Sequence, residues 1–200
     1  MQESPATRAS LLVRLRDGGD VGAWQDFVRL YGPIIYGFAR KRGLQDADAA
    51  DLMQDVLRSV SSAVHRLEYD PVRGTFRGWL FTVTRNKVFN FLDRRSRRVQ
   101  GSGDSRMQQR LEQHAAADGD LLADWEADYQ RALAAQAMER VQGEFQAATW
   151  EAFLQTAVEG RTPAQVSARV GLSVGAIYVA KSRVIARLRQ EIERMQEVEP

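Results

Sequence analysis

No stretch of this sequence alternates apolar and polar residues over the length of a strand, and its 5 prolines leave long segments uninterrupted. Such a chain has to bury its apolar residues along helices, whose side chains return to one face every three to four positions. The clearest case opens at Asp46. Met53, Leu57, Val60, Val64 and Leu67 recur at helical spacing, which predicts one buried stripe on a helix ending near Leu67. Asp51, Asp55, Arg58 and Ser62 recur at the same spacing on a different, polar face, and Gln54 lies beside them.

The same reasoning covers the rest of the chain. A first helix is expected over Thr7 to Arg16, stopped by Asp17-Gly18-Gly19. Asp20 is placed to cap a second, with Trp24, Phe27, Val28 and Tyr31 on its apolar stripe. Gly32-Pro33 is expected to break or kink that helix before Ile34, Ile35, Phe38 and Ala39, and Gly43 to close it. Asp-Pro and Gly mark Glu68 to Thr75 as a loop, and a further long helix is expected from Phe76 to about Arg95. Residues 96–120 have the polar, Gly-rich composition of a tether. Helical pattern resumes at Leu121 through Trp125, Tyr129 and Leu133, then Phe145, Trp150 and Phe153. The expected fold is all-α, as two small helical domains over 5–98 and 123–192 joined by a flexible linker over 99–122.

Composition removes several function classes. There is no cysteine, so disulfides and thiolate metal sites are excluded, in keeping with a reducing cytoplasm. No segment approaches the roughly 20 apolar residues of a membrane span, and no export signal opens the chain, so a cytoplasmic location without membrane insertion is expected. His65 and His114 are far apart and have no ligand spacing to carboxylates, no Gly-rich phosphate loop precedes a helix, and Asp46, Asp48, Asp51 and Asp55 fit partner contact or capping better than acid catalysis. No catalytic residue, metal or cofactor is expected. The net charge of +2 hides an asymmetry: residues 1–100 carry 17 basic and 11 acidic side chains, 101–136 carry 3 and 7, and 137–200 carry 8 of each. The basic front is a candidate polyanion-facing surface.

The sharpest local pattern is over 162–189. Thr162-Pro163-Ala164-Gln165 is a helix start, with a Thr cap, Pro in the first turn and a Gln to complete a capping box. Val166 and Val170 point inward, and Gly171-Leu172-Ser173 makes a tight turn in which Gly takes a left-handed backbone, Leu172 anchors the core and Ser173 caps the next helix. That helix is expected to bury Val174, Ile177 and Leu188. The pattern is a helix-turn-helix, whose second helix enters the major groove by its N-terminal side chains. Ser173, Tyr178, Val179, Lys181, Ser182 and Arg183 are then the candidate DNA contacts, with Arg187 and Arg189 able to hold phosphates.

The segment Phe76-Arg77-Gly78-Trp79-Leu80 through Arg94-Arg95 is dense in aromatic and basic residues. Most of its aromatics, Trp79, Phe81, Phe89 and Phe91 among them, are expected to be core. Asn86, Asn90, Arg94 and Arg97 share one face, where basic side chains suit phosphates and amides suit base edges.

These three segments together resemble a family. Phe76-Arg-Gly-Trp-Leu, Arg85-Asn-Lys and Phe91-Leu-Asp-Arg-Arg95 are similar to region 2.3–2.4 of the sigma-70 family, in its extracytoplasmic-function (group IV) type. Asp46 to Leu57 resembles region 2.2, and Gly171 to Ile177 through Arg189 resembles region 4.2, so that the likeness spans about 21–95 and 137–190. It implies an RNA polymerase sigma factor, not an enzyme, that binds core polymerase at its clamp and flap and opens a promoter. By that resemblance Asp51, Gln54, Asp55 and Arg58 contact the clamp, and the loop holding Tyr69 captures a flipped base of the −10 element. Arg77, Trp79, Arg85, Asn86, Asn90, Arg94 and Arg95 hold the rest of that element, while the helix from Val174 reads the −35 element. An anti-sigma factor is a further implied partner, competing for the region 2.2 face and region 4. Two departures stand out: Tyr178-Val179-Ala180 replaces a frequent Lys-Ser-Arg, and Phe145 to Phe153 lacks the leading Pro usual in region 4.1. The alternative is a freestanding helix-turn-helix regulator, which would bind duplex DNA without polymerase and with two-fold symmetry.

Overall fold

The computed structural model describes residues 11–17, 19–64, 76–100 and 118–196, and no strand occurs among them. The fold is all-α, as expected. Helices α1 (Leu11–Arg16), α2 (Val21–Lys41), α3 (Asp46–Val64), α4 (Phe76–Gln100) and α5 (Asp118–Val141) are followed by a short 3-10 turn at Gln142–Glu144. Then come α6 (Ala147–Phe153), which runs into a π-helical turn at Leu154–Val158, α7 (Pro163–Val170) and α8 (Val174–Gln196). The chain divides into two compact units, with the boundary between Ala132 and Leu133.

In the first unit α2 is the central element. The Asp20 carboxylate caps it by accepting from the Ala23 N–H at 2.8 Å, and Arg14 holds that carboxylate at 2.8 Å from α1. Gly32-Pro33, expected to break or kink α2, does not break it, and the helix continues to Lys41. A helical Pro forfeits one backbone bond and crowds the preceding turn. Here Leu30, Tyr31, Ile34 and Ile35 are all buried around it, and that packing holds the helix together. The helix ends in a Schellman motif: Leu44 N–H bonds Ala39 O at 3.3 Å, Gly43 N–H bonds Arg40 O at 3.0 Å, and Gly43 has φ +85°. Buried Leu44 completes it.

The α3 stripe runs through Ala49, Leu52, Val56, Val60 and Val64, one position earlier in its first half than the expected line, and Met53 and Leu57 lie at its edge. Both lines share Val60 and Val64, and the packed molecule buries Ala49, Leu52 and Val56 with them. On α2 the buried line includes Ala23 and Leu30 and leaves Val28 exposed. Helix α4 contributes Phe76, Leu80, Phe81, Thr84 and Val88 to the core. Buried Thr84 is satisfied by donating to Leu80 O at 2.8 Å.

The domain boundary differs from the expected one. Residues 123–132, expected with the C-terminal module, belong to the first unit. Trp125 and Tyr129 are both 0% exposed. The indole of Trp125 meets the edges of Phe38 at 5.6 Å and Phe81 at 5.9 Å, and Tyr129 stacks on Tyr31 at 6.0 Å. Acidic side chains reinforce the docking: Asp128 takes Lys41 at 2.7 Å and Glu126 lies 3.7 Å from Arg77. Burial alone would push the Asp128 carboxyl up, but the hydrogen bonds from Lys41 and Arg131 leave it lowered.

The second unit starts with Leu133, Ala137 and Val141 at the C-terminal half of α5. Its core has two adjoining parts. Val141, Trp150, Phe153 and Val184 form one, with Met138, Phe145 and Leu188 against them. Ala152, Val166, Ile177 and Ala180 form the other, with Val170 and Leu172 against them. The π-helical turn closes with Glu159 N–H to Leu154 O at 3.0 Å, and Gly160 reverses the chain at φ +71°.

Candidate nucleic-acid and protein-binding faces

The helix-turn-helix is built as its sequence dictates. Thr162 and Gln165 form the capping box, with the Thr162 N–H bonding Gln165 Oε1 at 3.0 Å and the Gln165 N–H bonding Thr162 Oγ1 at 3.4 Å. Gly171 ends α7 at φ +70°, where a side chain would cost about 1–2 kcal/mol. Ser167 Oγ then pins the turn by donating to Leu172 O at 2.7 Å. Ser173 caps α8 by accepting from the Ala176 N–H at 3.2 Å.

Helix α8 buries Ile177, Ala180, Val184 and Glu191. Val174, expected to be buried, is 42% exposed. At 100° per residue it lies roughly 85° from the centre of the buried face, past the edge of the core. Tyr178, at 60%, and Val179, at 57%, are exposed as expected, as are Ser173, Ser182, Arg183 and Arg189, and Lys181 is half-buried. Arg187 is placed differently from a free phosphate ligand. Its guanidinium reaches Glu144 at 2.6 and 2.7 Å and Glu191 at 3.2 Å, which raises its pKa.

Glu191 went unnoticed in the sequence. Only 2% of its side chain is exposed, and Arg187, Arg194 and Arg140 surround it at 3.2, 2.5 and 3.5 Å. Burial favours its neutral form, but the hydrogen bonds and charges of Arg194 and Arg187 prevail and hold its pKa below the usual value. The signal was present: Ile177, Val184 and Glu191 are seven apart on one helix face, so a carboxylate falls in line with core residues and arginines stand one turn to either side.

In the first unit the polar face of α3 is exposed: Asp51, Gln54, Asp55, Arg58 and Ser62 all face outward, and Arg58 pairs with Asp55. On α4 the residues Asn86, Asn90 and Arg94, four apart, form an exposed line, and Arg95 is exposed beside it. The side chain of Arg97 lies outside the described residues, as do Tyr69, the whole 68–75 loop, His65, His114 and the linker over 101–117. Trp79 is half-buried with its ring 5.5 Å from Phe76, Phe81 is core, and Phe89 and Phe91 are half-buried. Arg85 is half-buried with its guanidinium 5.9 Å from the Phe89 ring centre. Arg77 sits 4.5 Å over the ring of Tyr129 and near Glu126, and so is engaged within the unit. Among the described residues no cluster of three or more His, Cys, Asp or Glu is placed to hold a metal, and no helix is long and apolar enough to cross a membrane.

Residues 27–98, which include both the α3 and α4 faces, match the family Sigma-70 region 2. Over that span the chain is similar to sigma-70 region 2. Relatives agree with the extracytoplasmic-function type read from the sequence. The "ECF RNA polymerase sigma factor RpoE" of Cereibacter sphaeroides is 31% identical over 78 residues, covering 39% of this chain and 42% of that protein. The "ECF RNA polymerase sigma factor SigE" of Mycolicibacterium smegmatis is 32% identical over 81 residues, covering 40% of this chain and 30% of that protein. The chain thus spans less than half the length of these curated relatives. A solved structure of CnrH in complex with the cytosolic domain of CnrY aligns at TM-score 0.35 and 23% identity, over 92% of this chain and 96% of that one. Within residues 27–98, the exposed α3 face and the Asn86–Asn90–Arg94 line lie on different helices.

Proposed function

We propose that this chain is an RNA polymerase sigma factor that binds core polymerase, recognises −10 and −35 promoter elements and stabilises strand opening. The observation that carries this reading is one chain holding both a segment that matches sigma-70 region 2 and a capped helix-turn-helix. In this reading Asp51, Gln54, Asp55 and Arg58 seat the protein on the polymerase clamp. Asn86, Asn90, Arg94 and Arg95 engage the −10 strand, with Tyr69, Trp79 and Arg85 in supporting positions. Arg77 then acts through the fold, by fixing α5, and not by touching DNA. Ser173, Tyr178, Val179, Lys181, Ser182 and Arg183 on α8 meet the −35 duplex, and Arg187 stiffens that helix through Glu144 and Glu191. An anti-sigma protein covering the α3 face would compete with polymerase directly.

Opening DNA costs a few kcal/mol per extruded base, and a protein that prefers the open strand offsets this by differential affinity. No covalent step is asked of any residue, so the role is not enzymatic, and its place is with polymerase in the cytoplasm. The test is core-polymerase pull-down with Asp51→Arg plus Asp55→Arg. Both sites are exposed, so the fold should survive the change, and binding should be lost. Unchanged pull-down with native helicity would remove the α3 face from this account.

A further inference from the structure

The exposed side of α8 has an unusual chemistry for a helix that reads DNA. On the side opposite its buried face, N-terminal to exposed Arg189, lie Gly175, Tyr178, Val179, Ser182 and Ala186 at 100° per residue. None is charged, and none has the paired donors and acceptors with which Arg, Lys, Asn or Gln grip a guanine or adenine edge. The basic residues of these turns stand on opposite flanks, half-buried Lys181 on one side and exposed Arg183 on the other. Tyr178 and Val179 nevertheless stay 60% and 57% exposed, an apolar surface bounded by cations. A helix lying in the major groove would put such flanking cations near the two phosphate walls and its uncharged stripe on the base edges.

We propose that Tyr178 and Val179 set base specificity by packing on thymine 5-methyl groups, with Ser182 able to add a single hydrogen bond. This rests on the reading of α8 as a duplex-binding helix and names what that helix selects. The thymine methyl is the one apolar group on the major-groove edge of any base, so it is the group that this stripe can distinguish. The charge pattern favours DNA over a protein as occupant: positive residues flank the apolar stripe on both sides and no acidic side chain lies on the helix between Val174 and Gln190.

The experiment uses the full chain with core polymerase to enrich duplexes from a randomised DNA library. Enriched sites are then tested with uracil in place of each thymine, which removes the methyl and leaves base pairing intact. Wild type should enrich thymine under α8 and lose roughly fourfold in affinity per methyl removed. Val179→Ala should bind the thymine site more weakly and become indifferent to uracil at one position. Native helicity of that variant is expected, since the side chain is exposed. Enrichment without thymine preference, or equal binding of uracil and thymine duplexes by wild type, would overturn the specificity while leaving the duplex-reading role in place. No enriched duplex at all would overturn that role and the specificity with it. Loss of core-polymerase binding by Val179→Ala, with uracil silent, would assign the face to a protein.

Discussion

Trp125→Ala tests whether the first part of α5 belongs to the N-terminal unit. Truncating a buried Trp typically costs about 3–5 kcal/mol through lost transfer energy and a residual cavity. Trp125 is fully buried between Phe38 and Phe81, so the upper half of that range would apply to its rings. Its indole Nε1, however, is buried without a hydrogen-bond partner. Removing an unsatisfied donor returns about 1–3 kcal/mol, so a net loss of about 1–4 kcal/mol is expected. Trp125→Phe, which keeps an aromatic ring and removes the orphan N–H but leaves a smaller cavity, should cost less than Trp125→Ala. The assay is urea denaturation of fragments ending at Ala132 and at Gln100. The longer fragment should be the more stable, and Trp125→Ala should cancel most of that gain. Equal stability of the two fragments, or no effect of the substitution in the longer one, would refute the assignment.

Glu191 makes the second unit acid-sensitive. Its folded pKa lies below the ordinary value of 4.5, so its contribution is complete above that pH and is lost as pH falls through the folded value. Thermal melts of residues 133–197 should therefore weaken below about pH 4.5, and Glu191→Gln should be less stable at neutral pH but flatter in acid; a variant as acid-sensitive as wild type would contradict this. Lys181→Ala with Arg183→Ala should weaken promoter binding and flatten its salt dependence by roughly one to two phosphate contacts, while core-polymerase pull-down stays intact; an unchanged salt slope would place these side chains away from the phosphates.

The sequence was most informative where structure is local. Asp20, Gly43, Thr162, Gly171 and Ser173 act on backbone groups a few residues away, so their types and offsets name the cap or turn they make. The exposed polar face of α3 was legible for the same reason, because periodicity alone sorts inward from outward positions. Tertiary packing decided what periodicity left open. Either of two adjacent lines on α3 was apolar enough to be buried, and only the approach of α2 chose Leu52 and Val56. At Pro33 the local cost is visible in the sequence, whereas the burial of Leu30, Tyr31, Ile34 and Ile35 that lets the helix continue is not. Trp125 and Tyr129 carried no local mark of their partner; the acidic run near them, facing a basic N-terminal half, was the available clue. Of the candidate site, Asp51, Gln54, Asp55, Arg58, Asn86, Asn90 and Arg94 lie on exposed helical faces, whereas Lys181 is half-buried. Arg77 and Arg187 are instead paired, since long basic side chains find carboxylates that are distant in sequence.

Run-off transcription with purified core polymerase on a pool of genomic promoters is the most direct test of the central claim. Discrete transcripts are expected only when both this protein and core polymerase are present, with little DNA binding by the protein alone. Failure to associate with polymerase, together with tight sequence-specific binding of the isolated protein to closed duplex, would contradict it.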